Sequence, residues 1–358
     1  MRLITTLATG LVGILLLLLA LLATGWTALA LWYRIPGDGL VRGGAVCLWV
    51  VFIVGLVLFG RRHPLPAIGI FLVGLIAVGL WWQTIRPRLD RDWAPDVART
   101  VTGTIGPTQG DTGEGDTGEG EAGEGAGGKA GNLVTLHNVR NFRWTSERDA
   151  EPLWETRRYD LDTITGTDLI LSYWGMDAIA HTLVSFSFAD GRHVVFSVEI
   201  RRETTEEFSS IAGFFKSYEL AFIAADESDI LYLRTNMRRE DTYLYPLALP
   251  RQAAAALFLT YVNAANARAE TPQFYDTLTS NCTTVIFDLA RLVTPGIPMD
   301  WRILLSGYLP SYLIDQNATL WKLPEKELRA KAAISAKAQA HPTNGPDYST
   351  IIRAEPTP

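Results

Sequence analysis

One stretch of the sequence decides how the rest is interpreted: DTLTSNCTTVIFDLAR at residues 276–291. It predicts a loop that runs into a helix, because Ser280 or Asn281 can cap a helix by accepting hydrogen bonds from free backbone N–H groups. Four apolar residues follow at helical spacing and predict one buried face: Val285, Ile286, Leu289 and Leu292. The helix therefore begins close to Cys282.

Cys282 falls in the first turn of that helix, which gives its thiol a special environment. The partial positive charge of a helix N-terminus stabilises a thiolate and lowers the thiol pKa. A thiolate acts as a nucleophile when a base lies nearby. The alternative is that Cys282 is a small buried residue without chemistry, which is common for a lone cysteine.

Composition narrows the classes of function. The chain has 358 residues, a net charge of -6 and a pI of about 5.5, so no basic surface indicates nucleic acid binding. Its 2 cysteines are Cys47, inside an apolar run, and Cys282. A disulfide within the soluble part is therefore excluded, and there is no CxxC pattern for zinc. No metal or organic cofactor is expected.

The first part of the chain predicts a membrane anchor over residues 1–90. Three apolar runs follow one another: Leu3 to Trp32, Gly43 to Gly60 and Leu65 to Trp82. Each is near or above the roughly 18–20 residues that cross a bilayer core. A buried helical hairpin in a soluble protein is the alternative, but three such runs in succession exceed what globular cores use. Basic residues flank the helices on both sides, so the positive-inside rule does not fix the orientation.

The remaining chain predicts an α+β domain in which strands precede helices. We expect a first strand over residues 91–102. A disordered Gly/acidic loop is expected over 103–132, because this segment has too little apolar surface to offset the entropy of ordering. The folded domain is expected over 133–323, and residues 324–358 are expected to form a surface helix and a loose tail.

Runs of apolar and β-branched residues predict the strands of this domain: Val134 to Val139, Trp154 to Leu161, Asp168 to Tyr173, His181 to Phe188, His193 to Ile200, Glu219 to Ala224, Ile230 to Thr235 and Thr242 to Tyr245. Asp190-Gly191 predicts a tight hairpin turn between two of them. Pro250 is predicted to open a helix that ends near Ala267. A last helix is predicted from Leu323 to Ala340.

The thiol of Cys282 needs a base, and His181 is the histidine best placed to act as one. It begins a strand after a turn rich in small residues, so its imidazole can project from the sheet edge towards a helix start. Glu199, on the paired strand, is our candidate for the group that orients the imidazole. The alternative for this acid is a salt bridge with Arg201 or Arg202 at the strand end.

Other residues bear on the candidate site. Ser197 and His193 are lesser candidates for the orienting role. The developing oxyanion would meet the backbone N–H of Cys282, with the amide of Asn281 as a second donor; the alternative is that Asn281 only caps the helix. A zinc site made of His181, His193 and Cys282 lacks a fourth ligand and the usual short spacings.

Three separated motifs carry a family resemblance: IAHTLVSF at residues 179–186, FSVEIRRE at 196–203 and FYDTLTSNCTT at 274–284. In this order they resemble the family typified by the N-terminal periplasmic domain of the bacterial lipoprotein N-acyltransferase Lnb. The similarity covers roughly 133–301, and the agreement of three motifs makes it specific.

The resemblance implies a permuted papain-like (NlpC/P60-like) domain with a Cys–His acyl-transfer centre, because that family is similar to thiol enzymes in which histidine precedes an Asn-Cys pair. His181 and Cys282 match those positions, whereas the role of Glu199 is our inference. The resemblance also implies a periplasmic domain anchored in the bacterial inner membrane by several passes. The chain departs from the acyltransferase because no membrane helix is predicted after the domain, which bears on the substrate more than on the thiol chemistry.

Three functions are compatible with these patterns. The first is a membrane-anchored thiol acyltransferase or hydrolase that acts on a membrane lipid or a lipoprotein. The second is a cell-wall peptidase or amidase that uses the same Cys282 and His181. The third is a non-catalytic envelope module that retains the fold, because fold resemblance does not carry function by itself.

Overall fold

A computed structural model describes residues 2–106 and 132–354, with side chains from residue 11 onward. The chain divides into two compact units. The membrane unit comprises Met1–Arg88 and the insert Glu207–Tyr218, and the domain unit comprises Leu89–Glu206 and Glu219–Pro358. The chain therefore passes between the units three times.

The membrane unit contains the three helices predicted from the apolar runs. They are α1 (Arg2–Arg34), α2 (Gly39–Gly60) and α3 (Pro64–Thr84). Each is long and apolar enough to cross a membrane, with hydropathy 2.4, 2.5 and 2.2, and most of their apolar side chains are exposed. Cys47 is among the exposed residues of α2. These helices can satisfy every backbone polar group internally, as a lipid environment requires.

The domain unit is built on one twisted sheet. The described strands of this unit are β1 (Thr102–Gly106), β2 (Leu133–Arg140), β3 (Arg143–Trp144), β4 (Ala150–Glu151), β5 (Trp154–Asp160), β6 (Ile164–Tyr173), β7 (Ala180–Phe188), β8 (His193–Arg201), β9 (Glu219–Ala225) and β10 (Asp241–Pro246). The sheet order is β1-β2-β9-β8-β7-β6-β10, with β5 also on β2 and the ribbon formed by β3 and β4. Only the β2–β9 pairing is parallel among those described.

Helices cover both faces of this sheet. The domain helices are α4 (Glu227–Tyr232), α5 (Arg251–Glu270), α6 (Cys282–Val293), α7 (Leu309–Asp315), α8 (Glu325–Ala332), α9 (Ser335–Gln339) and α10 (Tyr348–Arg353). Apolar residues of α5, α6, α7 and α8 pack on one face of the sheet. Apolar residues of α4, α9 and α10 pack on the other face. With both faces buried, the central strands are apolar throughout rather than alternating. The mixed α+β class predicted from the sequence is confirmed.

The β7–β8 hairpin was predicted correctly, and it carries the candidate site residues His181 and Glu199. Gly191 has a φ of 83°, a left-handed conformation that glycine adopts without strain. The register pairs Leu183 with Ser197 and Phe186 with Val194. This pairing fixes which residues of the two strands lie opposite one another.

Two predicted strands were placed wrongly. Residues 91–101 contain a 3-10 turn at Pro95–Val97, and the first strand runs over Thr102–Gly106. The predicted loop over 103–132 therefore starts with a strand; its residues 107–131 lie outside the described part of the chain. Ile230 to Thr235 is not a strand but the end of α4 and a π-turn, Leu233–Met237. A short apolar run in a buried helix cannot be told from a strand by periodicity.

The C-terminal segment is not the surface helix and loose tail that we predicted over 324–358. The single helix predicted from Leu323 to Ala340 is divided into α8 and α9, and α10 follows with Tyr348 and Ile352 each only 1% exposed. Arg353 forms ion pairs with the buried carboxylates of Asp168 and Glu227. Tertiary contacts thus order a segment whose composition alone favours disorder.

Replacing Arg353 with Met is expected to destabilise the domain by about 3 kcal/mol, because it leaves two buried carboxylates without their cation. The estimate takes the low end of the range because the Arg353 side chain is 26% exposed. Thermal or denaturant unfolding of the purified protein measures the loss. The control is Arg158→Met on the exposed side of β5, and equal stability of the two variants would contradict the prediction.

Candidate functional site

The start of α6 is built as the sequence predicted. Asn281 has an extended backbone, and its side chain accepts hydrogen bonds from the N–H groups of Thr283 (2.8 Å) and Thr284 (2.9 Å). The hydroxyl of Thr284 accepts the N–H of Asn281 in return, which completes a capping box. Cys282 is the first helical residue and is partly exposed.

The predicted buried face of α6 is correct except at its end. Ile286 and Leu289 are buried and Val285 is partly buried, all packed in the main core. Leu292 is 71% exposed, contrary to our prediction. Val293, the last residue of α6, packs against the core instead, while Leu292 and Arg291 are on the exposed side of the helix.

His181 is held from β7 by two neighbours on β8. Its Nε2 lies 2.8 Å from the Ser197 hydroxyl and 3.0 Å from a Glu199 carboxylate oxygen. The register that pairs Leu183 with Ser197, continued by two residues, places His181 opposite Glu199 on one face of the sheet. The Ser197 hydroxyl also donates to Glu199 at 2.7 Å. With Nε2 engaged in this way, Nδ1 is the ring nitrogen available to a thiol.

The Cys282 thiol and the His181 imidazole form an acid–base pair. Burial disfavours the thiolate, but the charge of His181 and a hydrogen bond from it outweigh burial and lower the pKa of Cys282. Burial and Arg234 lower the pKa of His181, whereas Glu199 and Cys282 raise it, and the result is a pKa of about 9. Each shift favours the charged form of its group, a thiolate on Cys282 and an imidazolium on His181.

Glu199 is the acid of this site, although burial disfavours its charge. The His181 and Arg234 cations and the Ser197 hydroxyl hold its pKa well below the usual range. The expected salt bridge to Arg201 or Arg202 does not form: Arg201 donates to the carbonyls of Val97 and Ala98, and Arg202 pairs with Asp96. The carboxylate is thus directed at the imidazole, as orientation of a catalytic histidine requires.

Arg234 is the residue of this site that sequence reasoning missed. Its guanidinium bridges Glu199 at 3.1 Å and Glu240 at 3.2 Å. Burial acts against its charge, but Glu240 and Glu199 raise its pKa. Arg234 lies in the π-turn Leu233–Met237, a local distortion that is frequent at functional sites. An arginine inside an otherwise apolar run was the available signal.

Other contacts hold the helix start against the strand. The Thr182 hydroxyl lies 2.9 Å from that of Thr283, which joins β7 to the first turn of α6. The Asn281 side chain caps the helix and donates one hydrogen bond to the Thr277 carbonyl, and its role as an oxyanion donor stays a prediction. Burial raises the pKa of Tyr275, and the charges of Cys282 and Glu199 raise it further. Its phenol is therefore a neutral neighbour of the thiolate.

The remaining histidine candidates lie elsewhere. His193 is at the opposite end of β8, where it pairs with Ser187, so it contacts neither Cys282 nor His181. It influences Glu227 instead. Among the described residues, no group of three or more His, Cys, Asp or Glu side chains could hold a metal ion.

The loop before His181 packs against a second loop that follows α6. The Ser306 hydroxyl donates to the carbonyl of Ala180 and accepts its N–H, and Gly307 donates to the carbonyl of Ala178. A Cβ on Gly307 would lie 1.9 Å from the Asp177 oxygen, so only glycine permits this approach. The two loops and the segment before Cys282 also expose large apolar side chains: Trp174, Met176, Leu278, Met299, Trp301 and Leu304.

One family model matches the region of the chain that contains this site. Residues 150–307 match the family model described as the Lnb N-terminal periplasmic domain. The resemblance seen in the three motifs is confirmed for this region, which includes the strands and the helix that carry Cys282, His181, Glu199 and Arg234. No curated protein and no solved structure matches the chain. The chain therefore combines three helices that are long and apolar enough to cross a membrane with a region, residues 150–307, that is similar to an Lnb-type periplasmic domain.

The charge arrangement predicts how the rate of alkylation of the Cys282 thiol depends on pH. Alkylation of Cys282 by iodoacetamide should be fast at neutral pH and slow as the pH falls through the lowered thiol pKa. In Glu199→Gln the pKa of His181 falls, because a carboxylate that raises it is removed. The imidazolium then loses its proton at a lower pH. It therefore stabilises the Cys282 thiolate less, and the pKa of the thiol rises. We expect alkylation at pH 7 to slow roughly tenfold, as a shift of one pKa unit would cause.

This measurement is made in a Cys47→Ala background, so that only Cys282 reacts. Glu151→Gln, on the exposed strand β4, serves as the control and should leave the pH profile unchanged. An unshifted profile in Glu199→Gln would show that the carboxylate does not act on the pair.

Proposed function

We propose that the domain is a thiol enzyme that performs acyl transfer or hydrolysis on lipid-linked or envelope substrates. The observation that carries the proposal is that Glu199 lies 3.0 Å from the His181 imidazole, while His181 and Cys282 shift each other's pKa towards the charged forms. A nucleophile, a base and an orienting acid in this order are the parts that covalent acyl chemistry needs.

The residues define a plausible sequence of steps. The Cys282 thiolate attacks the carbonyl carbon of an ester or amide, and the charge that develops on oxygen meets the backbone N–H of Cys282 at the start of α6. The His181 imidazolium then donates its proton to the leaving alcohol or amine, which leaves an acyl thioester on Cys282. His181 next accepts a proton from the incoming amine, alcohol or water, which attacks the thioester and restores the thiolate.

The surroundings of the pair favour a lipid-linked substrate. Large exposed apolar side chains occupy the segments that flank the site, among them Met176, Leu278 and Trp301, and the 3-10 turn Trp301–Ile303 packs against α6. Large apolar side chains left exposed near a site are suited to bind apolar partners. The membrane anchor in the same chain keeps the enzyme beside lipid.

The placement of the protein is part of the proposal. Residues 1–90 would cross the bacterial inner membrane three times and leave the domain on the periplasmic side. Within the domain, the order of histidine before the Asn281-Cys282 pair, on a strand and then a helix, supports a permuted papain-like (NlpC/P60-like) arrangement. The proposal includes no cofactor. Protein partners are not assigned.

The test is to trap the acyl-enzyme. The full chain is incubated in vesicles with a phospholipid, and intact mass measurement should find one acyl chain on Cys282. The adduct should be absent in Cys282→Ala and formed at least about a hundredfold more slowly in His181→Ala, because the group that lowers the pKa of the thiol and protonates the leaving group is lost. Cys47→Ala should retain the adduct.

Parallel reactions separate the alternatives. Cleavage of purified peptidoglycan without an acyl adduct would replace the proposal with a cell-wall peptidase or amidase. Absence of both reactions, with a folded protein and no thiol-selective labelling of Cys282 by an acyl-type probe, would favour a non-catalytic envelope module.

A further inference from the structure

The insert Glu207–Tyr218 connects β8 to β9 but belongs to the membrane unit. It follows the strand that carries Ser197 and Glu199. The hydroxyl of Tyr218 accepts the N–H of Ser209 and donates to the carbonyl of Glu207, which closes the insert into a compact loop. At its tip, Ala212–Phe215 form a 3-10 turn that ends at Lys216 in a left-handed conformation.

Phe215 shows how deep this loop reaches along the membrane helices. Its ring stacks on Tyr33 with centroids 5.4 Å apart, and it lies 6.1 Å from Trp26 and 6.5 Å from Trp82. Trp26 lies about 12 Å before Arg34 along α1, at the helical rise of about 1.5 Å per residue. Because α1 is a membrane span up to Arg34, Phe215 lies beside the last two turns of that span.

Basic side chains surround the loop at the ends of α1 and α3. Arg34 donates to the Lys216 carbonyl at 2.8 Å, and the Lys216 ammonium donates to the Trp82 carbonyl at 2.9 Å. Burial lowers the pKa of Lys216, and the charges of Arg34 and Arg86 lower it further. The basic side chains would face the anionic lipid headgroups, and the apolar turn would face the acyl chains. This is the order of the layers in a bilayer.

Two side chains of the same turn point away from the helices. Ile211 is 53% exposed and Phe214 is 44% exposed, whereas Phe215 between the helices is 4% exposed. The turn therefore has an inner face that packs against α1 and α3 and an outer face of large apolar side chains. Such an outer face, at the depth of a membrane span, fits lipid acyl chains rather than water.

We propose that Glu207–Tyr218 is an interfacial loop that inserts Ile211 and Phe214 into the bilayer leaflet on the domain side, with Lys216, Arg34 and Arg86 at the level of the lipid phosphates. The partner of this surface is the lipid bilayer itself. The loop is then a second attachment to the membrane, located directly after the strand that carries Glu199. This inference is independent of the proposed catalytic function.

The test measures the depth of the loop in the full-length protein. Single cysteines are introduced as Ile211→Cys and Phe214→Cys in a Cys47→Ala, Cys282→Ala background, labelled with an environment-sensitive fluorophore, and reconstituted into phosphatidylcholine–phosphatidylglycerol vesicles. Both labels should emit at short wavelength, resist aqueous iodide and be quenched by phospholipids that carry a nitroxide near the headgroup end of an acyl chain. The matched control is Glu147→Cys, at an exposed position of the domain unit.

The control label should emit as in water, be quenched by iodide and be insensitive to the nitroxide lipids. Labels at 211 and 214 that behave like the control would overturn the proposal. Labels that emit at short wavelength but are not quenched by the nitroxide lipids would also overturn it, because they would be buried in protein. Neither exposed position supports the fold, so the variants should remain folded.

Discussion

A chain of alternating charges is the feature on which the domain depends. It runs from the Cys282 thiolate through the His181 imidazolium and the Glu199 carboxylate to the Arg234 guanidinium, and ends at Glu240. Each buried charge would be costly alone, because transfer from water costs several kcal/mol per ion. Each is compensated by its neighbours, and the hydroxyls of Ser197 and Ser172 donate to the same carboxylate oxygens that contact His181 and Arg234. The thiolate is therefore stabilised by the whole chain rather than by the helix start alone.

The sheet makes this chain of charges possible because it is covered on both faces. Cys282 enters from α6, which packs on one face, whereas Arg234 comes from the π-turn that follows α4 on the other. They meet at His181 and Glu199 near the ends of their strands, where the two layers of helices approach each other. The site thus depends on both layers, and the ion pairs of Arg353 in the second layer help to keep that layer in place.

The connection between β8 and β9 also links the domain unit to the membrane unit. The connection from β8 to β9 leaves the domain unit and packs its Phe215 against α1 and α3 within the membrane unit. The strand that carries Ser197 and Glu199 is therefore continuous with a loop of the membrane unit.

The sequence by itself determined the local features. Helix capping at Asn281, the position of Cys282, the three apolar helices and the Asp190-Gly191 hairpin all follow from short-range rules, and the hairpin register brings His181 to Glu199. Tertiary structure decided what depends on contacts distant in the chain: the helical state of Ile230 to Thr235, the role of Arg234, the burial of α10 and the separation of His193 from the site. The reason is physical, because periodicity and capping act over a few residues, whereas a buried charge is stable only where the fold brings its counter-charge.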